Sequence, residues 1–387
     1  MPNTPPLRVC LFTPTFLPSL GGAELAGDRI LRGLQKRGHE VQVLCQGHGP
    51  QPELPYPITR YRRPPAQHLW PELLGWHVRR VFQQRPFDVM LAFYGYPTGY
   101  AAARLKDRLG FRLVVSARGA DLYPNFHALS KPRVRSVIKA GYRGADRIIS
   151  LSRWLDQRLY EVAGPDLPPI DRVMNGIDLV AFDSSSRDAE SHPPPCDLEP
   201  GRFVLHLARV GPVKRQDLAV EAVAACAELF RGKKFRYVFA GDGESLETIR
   251  HQVDHLGISD IVRLTGRQTG LDKMWLLRHA YAFVSTSREE GMPNAMIEAI
   301  TAGLPVLASD IGPHRELLEL SKAGWTFRFP EVHDLSRQIQ RLLSIDLTPY
   351  RSAAHQSRHL FSLDRMIDGY ERSLQCAMSC KTAGVSE

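Results

Sequence analysis

Long apolar runs are absent from this 387-residue chain, and no stretch approaches the ~18 apolar residues that a membrane-spanning helix needs. Val9-Cys-Leu-Phe12 is too short for the apolar core of a signal peptide and is crowded by prolines, so the expectation is a cytoplasmic protein. Cysteine is scarce, at six residues, all expected as reduced thiols. Cys10, Cys45 and Cys226 fall in apolar segments and read as small core residues, while Cys376 and Cys380 have no further His or Cys nearby to complete a zinc set. Short internal repeats are missing as well. So is any acidic excess: 50 Lys and Arg against 41 Asp and Glu leave +9. The first 200 residues hold +7 of it, from 26 cations and 19 acids. That surplus favours an anionic partner without distinguishing nucleic acid, lipid or a phosphorylated small molecule. No nucleic-acid reading motif accompanies it, and no nucleic-acid partner is expected.

What the chain does contain is alternation. Its length allows two to three domains on a prior of ~150 residues each, and 43% hydrophobic with 24% charged residues is ordinary for a globular protein. In the first half, residues 7–13, 40–45, 89–93, 112–116 and 147–151 read as strands. Residues 23–36 read as a helix with Ala23, Ala26, Ile30, Leu31 and Leu34 on one face, ended by Gly38. Residues 183–200, with Ser-Ser-Ser and Pro-Pro-Pro and no periodicity, read as a linker. The alternation then restarts, with strands at 203–208, 236–240, 261–264, 280–284 and 304–308 and helices at 216–229 and 245–255. A helical segment and tail, 349–387, close the chain. Such alternation predicts an α/β protein: two Rossmann-like, doubly wound domains, 1–182 and 201–348, facing across a cleft, with ligands at the carboxyl ends of the strands.

Residues 289–303, Glu-Glu-Gly-Met-Pro-Asn-Ala-Met-Ile-Glu-Ala-Ile-Thr-Ala-Gly, lie between two of the strand candidates. Pro293 stands where a helix would begin and Gly303 where it would end. A strand, a turn and the open N–H groups of a helix form a phosphate cradle. Glu290 and Glu298, with seven residues between them, are placed to hold the hydroxyls of a sugar and a ribose. Arg209-Val-Gly-Pro-Val-Lys214 puts two cations after strand 203–208, where a departing diphosphate needs its charge neutralised. Ala240-Gly241-Asp242-Gly243-Glu244 follows strand 236–240, and its glycines permit close backbone approach. Taken singly these are a half-exposed acid, two surface cations and an ordinary turn. All three fall at the same end of successive strands, and together they point to a nucleotide-sugar site.

These segments resemble glycosyltransferase family 4, whose members are retaining enzymes of the GT-B fold. Glu290 and Glu298 match its pair of acids in a closely similar context, and Arg209 and Lys214 match its phosphate-binding pair at the same spacing. Asp217-Leu-Ala-Val-Glu-Ala, Gly241-Asp242-Gly243, Gly312 to Glu316, Gly21-Gly22-Ala23-Glu24 and Asn175-Gly176-Ile177-Asp178 extend the resemblance over nearly the whole chain. It implies a GT-B fold whose C-terminal helix crosses back to the first domain. It also implies that Glu298 binds the nucleotide ribose and Glu290, in the catalytic set, the transferred sugar. Arg209 and Lys214 would hold the diphosphate, with the backbone of Gly291 and Met292 and the helix opening at Pro293 and Asn294. Gly21 and Gly22 would let a first-domain loop approach the phosphates, Gly241 and Asp242 would line the site, and Gly266 and Arg267 would meet the base. The implied reaction moves a sugar from a UDP- or GDP-linked donor to a hydroxyl of a glycan or lipid-linked acceptor in cell-envelope synthesis. Attack on the same face, with the leaving phosphate helping to take the acceptor's proton, is the family's usual description.

One position departs from the family. Where it often carries His-Gly at the end of a first-domain strand, contacting the sugar, this chain reads Ser116-Ala-Arg118-Gly119-Ala-Asp121. An arginine cannot accept a proton near neutral pH. Arg118 can stabilise developing charge, hold a phosphorylated acceptor, or simply pair with Asp121; both residues stand as catalytic candidates. Asp-x-Asp is absent, so no metal or other cofactor is expected and Arg209 and Lys214 take over the electrostatic task. His251 and His255 have Gln252 where a zinc protease needs Glu, and read as surface residues. Lys131, Arg135, Lys139 and Arg143 recur every four residues on a helix that Ser130 and Pro132 would start. Three like-charge pairs there cost roughly 0.6–1.5 kcal/mol together; the stripe is either solvated or faces an anionic membrane or lipid-diphosphate acceptor, placing the protein on the membrane's inner face. Two other readings compete. A dinucleotide oxidoreductase needs Gly-x-Gly-x-x-Gly where this chain has Leu-Gly-Gly-Ala-Glu, and a non-catalytic binding protein would not need both acids and both cations.

Overall fold

The structure is a computed structural model and describes residues 5–19, 21–47, 53–62 and 70–379. The chain forms two compact units, one of residues up to Gly176 together with those from Leu363 onward, the other Ile177–Ser362. The first unit carries β1 (Arg8–Thr13), β2 (Glu40–Gln46), β3 (Ile58–Tyr61), β4 (Val89–Phe93), β5 (Arg112–Ala117), β6 (Arg147–Ser150) and β7 (Ile170–Arg172). They form one parallel sheet in the order β3-β2-β1-β4-β5-β6-β7. The second unit carries β8 (Phe203–Leu207), β9 (Arg236–Ala240), β10 (Val262–Gly266), β11 (Ala282–Ser285), β12 (Val306–Ser309) and β13 (Gly324–Phe327). Its sheet is also parallel, in the order β10-β9-β8-β11-β12-β13.

Parallel sheets are covered on both faces, so their strands need continuous apolar runs. β4 and β11 are buried at every residue, as that rule requires. In each sheet the strand order reverses once, between β1 and β4 and between β8 and β11. A doubly wound sheet opens a crevice at such a reversal, outside the carboxyl ends of the two strands.

The last helix, Leu363–Ser379, belongs to the first unit, as the family resemblance implies. Met366, Ile367, Tyr370 and Leu374 are buried in a core with Leu34, Val114 and Ile149. Gly33 lets this helix lie close, since a Cβ there would stand 2.5 Å from Ile367. Arg37 pairs with Asp368 at 2.6 Å and also with Glu371, which His39 Nε2 meets at 2.9 Å.

Three readings of the sequence need correction. Residues 183–188 are no linker but the second half of the helix Leu179–Asp188, started by Asp178, whose carboxylate accepts from the Ala181 N–H at 3.0 Å. The cap outweighs the low helix propensity of Ser-Ser-Ser. The single helix read at 216–229 is two, Gln216–Ala224 and Ala227–Gly232, with Cys226 outside helical geometry between them and Phe230 fully buried beyond the break. The closing segment likewise breaks, into Thr348–Ser357, a short turn Arg358–Phe361, and Leu363–Ser379 after an extended Ser362. Cys380 lies outside the described residues; Cys10, Cys45, Cys196, Cys226 and Cys376 are free thiols, the first two and Cys226 buried.

Candidate active site

In the second unit the loops after β8 and β11 flank the reversal of strand order. The Thr286 hydroxyl donates to the carbonyls of Lys214 and Arg215, at 2.8 Å each, and the Arg288 N–H donates to Val213 O at 2.8 Å. These bonds tie the two loops together and bring Lys214 onto Glu290. The Lys214 ammonium donates to Glu290 Oε1, which also accepts from the Ser287 hydroxyl at 2.8 Å. Burial pushes the Glu290 carboxyl up, but the charge and hydrogen bond of Lys214, with the Ser287 hydroxyl, hold it below the ordinary glutamate value. Glu290 is thus a carboxylate at neutral pH.

The helix that follows is Asn294–Thr301, with Pro293 extended at its N-cap and Gly303 left-handed (φ +82°) just past its end. Gly291 and Met292 are buried between Glu290 and this helix. Glu298, one turn inside, meets Lys273 Nζ at 2.9 Å. Lys273 comes from the helix Gly270–His279, and no motif marks it in the sequence. His314 packs beneath the same loop: its Nδ1 is 3.0 Å from Ser309 O, while the Ser309 hydroxyl donates to Ser287 O at 2.5 Å. Burial lowers His314 to about 4, against the pull of Glu290, so the imidazole is neutral near pH 7.

Arg209 is two-thirds exposed (66%) and reaches Glu244 at 3.2 Å. The glycines of the neighbouring turn serve the protein's own backbone: a Cβ on Gly241 would stand 1.8 Å from Ala208 O, and one on Gly243 would stand 2.1 Å from Val210 O. The Asp242 carboxylate accepts from the Gly243 N–H at 2.8 Å, and its carbonyl accepts from the Val210 N–H at 2.9 Å. This turn thus locks the Arg209 loop to β9. Gly266 (φ +68°) ends β10 and accepts from the Gly241 N–H at 2.8 Å; Arg267 beside it is exposed, with no ion pair among the described residues.

In the first unit, Gly21 caps the helix Gly22–Lys36 in an extended conformation. The Glu24 carboxylate folds over it and accepts from the Thr15 hydroxyl, leaving 2.3 Å between Glu24 Oε2 and any Cβ at Gly21. Arg118 follows β5 directly and is buried. Its guanidinium donates to Tyr370 OH at 3.2 Å and Asn175 Oδ1 at 3.1 Å and lies 4.5 Å over the Phe93 ring. Asp121 does not pair with it. Both Asp121 oxygens are taken elsewhere, by the N–H groups of Gly95 (2.8 Å) and Tyr96 (3.1 Å) and the Tyr142 hydroxyl (3.0 Å). Burial pushes this carboxyl up to about 6 in spite of those bonds.

The model "Glycosyl transferases group 1" matches residues 190–358, and "Glycosyltransferase Family 4" matches 20–180. The chain belongs to glycosyltransferase family 4. It is similar to N-acetyl-alpha-D-glucosaminyl L-malate synthase of Bacillus anthracis, 22% identical over 92% of this chain and 94% of that protein. It is also similar to the putative colanic acid biosynthesis glycosyltransferase WcaL of Salmonella typhimurium, 25% identical over 72% of this chain and 68% of that one. Among solved structures, Anabaena Alr3699/HepE in complex with UDP-glucose superposes with a TM-score of 0.74 at 19% identity, covering 96% of this chain and 100% of that one. Sucrose-phosphate synthase of Thermosynechococcus elongatus reaches 0.78 at 18% identity, over 96% and 99%. The fold is GT-B, and the protein is a glycosyltransferase.

Within this glycosyltransferase, the motif residues Glu290 and Lys214 meet directly, whereas Glu298 and Arg209 each have a partner the motif does not contain. Asp121 organises the buried loop at Gly95 and Tyr96. The basic stripe is also less free than its spacing indicates. Arg135 donates to Glu161 O at 3.2 Å, and Arg143 donates to Ala163 O and Asp166 at 2.8 Å, so two of its four cations cover the C-terminal carbonyls of the helix Arg153–Ala163. Ser130 turns its hydroxyl to His127 O, and Lys131 takes the N-cap position ahead of Pro132. No helix among the described residues is long and apolar enough to cross a membrane. His251 and His255 are exposed.

Proposed function

We propose that this glycosyltransferase moves a glycosyl group from a UDP- or GDP-linked donor to a hydroxyl of a glycan or lipid-linked acceptor, with retention and without a metal ion. The observation that carries this reading is the Lys214–Glu290 pair, set by the two loops that flank the strand reversal of the second unit. A donor diphosphate draws Lys214 off the carboxylate and joins Arg209 in neutralising the charge that develops as the phosphate leaves. Glu290, released, accepts hydroxyls of the transferred sugar, while Glu298, steadied by Lys273, accepts those of the ribose. Gly266 and Arg267 border the base. The leaving phosphate oxygen takes the acceptor's proton on the same face. The Anabaena structure with UDP-glucose and the polysaccharide-assembly role in the WcaL name support a nucleotide-sugar donor and a place in cell-envelope synthesis. Lys131 and Lys139, exposed and without an ion pair among the described residues, are the cations left to meet an anionic membrane on its cytoplasmic side. The test is donor hydrolysis across a panel of UDP- and GDP-sugars, without added metal and with chelator, for the wild type, Glu290→Gln and Glu298→Gln. Turnover by both variants at the wild-type rate refutes the assignment, as does stabilisation by NAD but by neither UDP nor GDP.

A further inference from the structure

Arg118 is a buried cation without a counter-ion. It is 7% exposed, and among the described residues it makes no ion pair. Its partners, Tyr370 OH, Asn175 Oδ1 and the Phe93 ring, are all neutral. Asp121, the acid nearest in sequence, spends both oxygens on Gly95, Tyr96 and Tyr142. A guanidinium has five N–H donors in a rigid plane, and two are used here. Burying such a charge is costly unless it is paired and hydrogen-bonded.

The surroundings hold the group still rather than neutralise it. Tyr370 OH also lies 3.0 Å from the Ser116 hydroxyl, which ties the last helix to the end of β5. Next to it Tyr94, whose N–H donates to Ser116 O at 3.0 Å, adopts φ +74° and ψ +151°. Only glycine enters that region readily, and side chains held there cluster at active sites, ligand clamps and switch regions. Arg118 leaves its strand at the carboxyl end, the ligand-bearing edge of a doubly wound sheet. A fixed, uncompensated guanidinium matches a planar carboxylate or a phosphate in bidentate fashion.

We infer that Arg118 is a receptor for an anionic group on a substrate, either a carboxylate on the transferred sugar or a phosphate on the acceptor. This rests on the proposed donor reading and adds a substrate class to it. That reading already assigns the donor's diphosphate to Arg209 and Lys214, so the anion assigned to Arg118 is a further one.

The experiment uses the full chain and measures affinities by calorimetry in three arms. The first compares UDP- and GDP-linked hexoses with the corresponding hexuronates. The second compares glucose with glucose 6-phosphate and glycerol with glycerol 3-phosphate, with and without nucleotide. The third measures UDP and GDP alone. The wild type should favour the anionic member at least tenfold in one of the first two arms, and that arm identifies the source. Arg118→Gln should reduce the preference to within twofold with UDP or GDP affinity unchanged, and Arg118→Lys should keep part of it. A wild-type preference below twofold in both arms overturns the inference, as does a preference that survives in Arg118→Gln. An equal loss of affinity for UDP or GDP alone in Arg118→Gln also overturns it, since Arg118 would then serve the diphosphate. Failure of the donor reading shows separately, as absence of wild-type binding in the third arm.

Discussion

At Glu290, burial and charge pull in opposite directions, and the pair with Lys214 wins. On the proposed role of this carboxylate as a preorganised acceptor, Glu290→Gln should lower donor kcat/KM by about 10²-fold or more while UDP or GDP affinity stays within about threefold. Lys273 acts through another residue. Removing a hydrogen bond to a charged group costs ~1.5–3 kcal/mol when buried, and partial exposure of the pair reduces that to roughly 1 kcal/mol. Lys273→Gln should therefore weaken nucleotide binding about fivefold and raise donor KM more than it changes kcat, with Lys273→Arg restoring both. Asp121 gives a pH prediction. Its folded value, about 6, lies above the ordinary 3.8, so the folded state prefers the protonated form. The stability this confers is full below the ordinary value and is lost as pH rises through about 6, by roughly 3 kcal/mol. Asparagine can keep one acceptor toward the two N–H groups and donate to Tyr142. Urea unfolding of Asp121→Asn and wild type at pH 4, 5 and 6.5 should show the variant gaining on the wild type by about 2 kcal/mol, the part of that loss which falls within this range; parallel curves would refute it.

At the scale of elements, the basic helix Pro132–Arg143 separates two roles that its sequence merges. Arg143 covers the end of a neighbouring helix, an interaction worth ~0.3–1 kcal/mol at a surface and up to ~2 when partly buried. Arg143→Gln should thus cost about 1 kcal/mol in chemical unfolding, whereas Lys139→Gln should cost nothing measurable. Binding to vesicles containing anionic lipid should respond in the opposite way, falling with Lys131→Gln and Lys139→Gln; unchanged binding removes the membrane from the proposal. The strands show what was legible. Among the inner strands, β1, β2, β4, β5, β8, β9, β11 and β12 are mostly apolar runs of four to seven residues buried along nearly all their length, and this is what makes them readable from composition. β3, β7 and β13 are edge strands of three or four residues with partly exposed patterns, so nothing in their hydrophobicity separates them from loops. A helix such as Leu179–Asp188 escaped for a different reason: one capping hydrogen bond decides it, and averaged propensity cannot see a cap.

For the whole molecule, the last helix is the decisive piece. It buries Met366, Ile367, Tyr370 and Leu374 in the core of the first unit. At ~1.5–3 kcal/mol per large side chain these four contribute roughly 6–12 kcal/mol, comparable to the ~5–15 kcal/mol stability of an entire domain. A chain ending at Ser362 should therefore lose the cooperative unfolding transition of its first unit in calorimetry, while the second unit keeps its own. What the sequence determined by itself is everything carried by short-range pattern: two series of alternating strands and helices, and the segments holding Glu290, Glu298, Arg209 and Lys214. Local periodicity and spacing suffice for these because each is built within one strand, turn or helix. Only the tertiary structure decided which groups meet. Lys273 reaches Glu298 across 25 residues, and Tyr370 reaches Arg118 across 252. Asp121, three positions from Arg118, turns away to the loop at Gly95. Pairing of charges depends on which strand ends lie side by side in the sheet, and strand order is set by packing the whole chain, not by any local stretch of it.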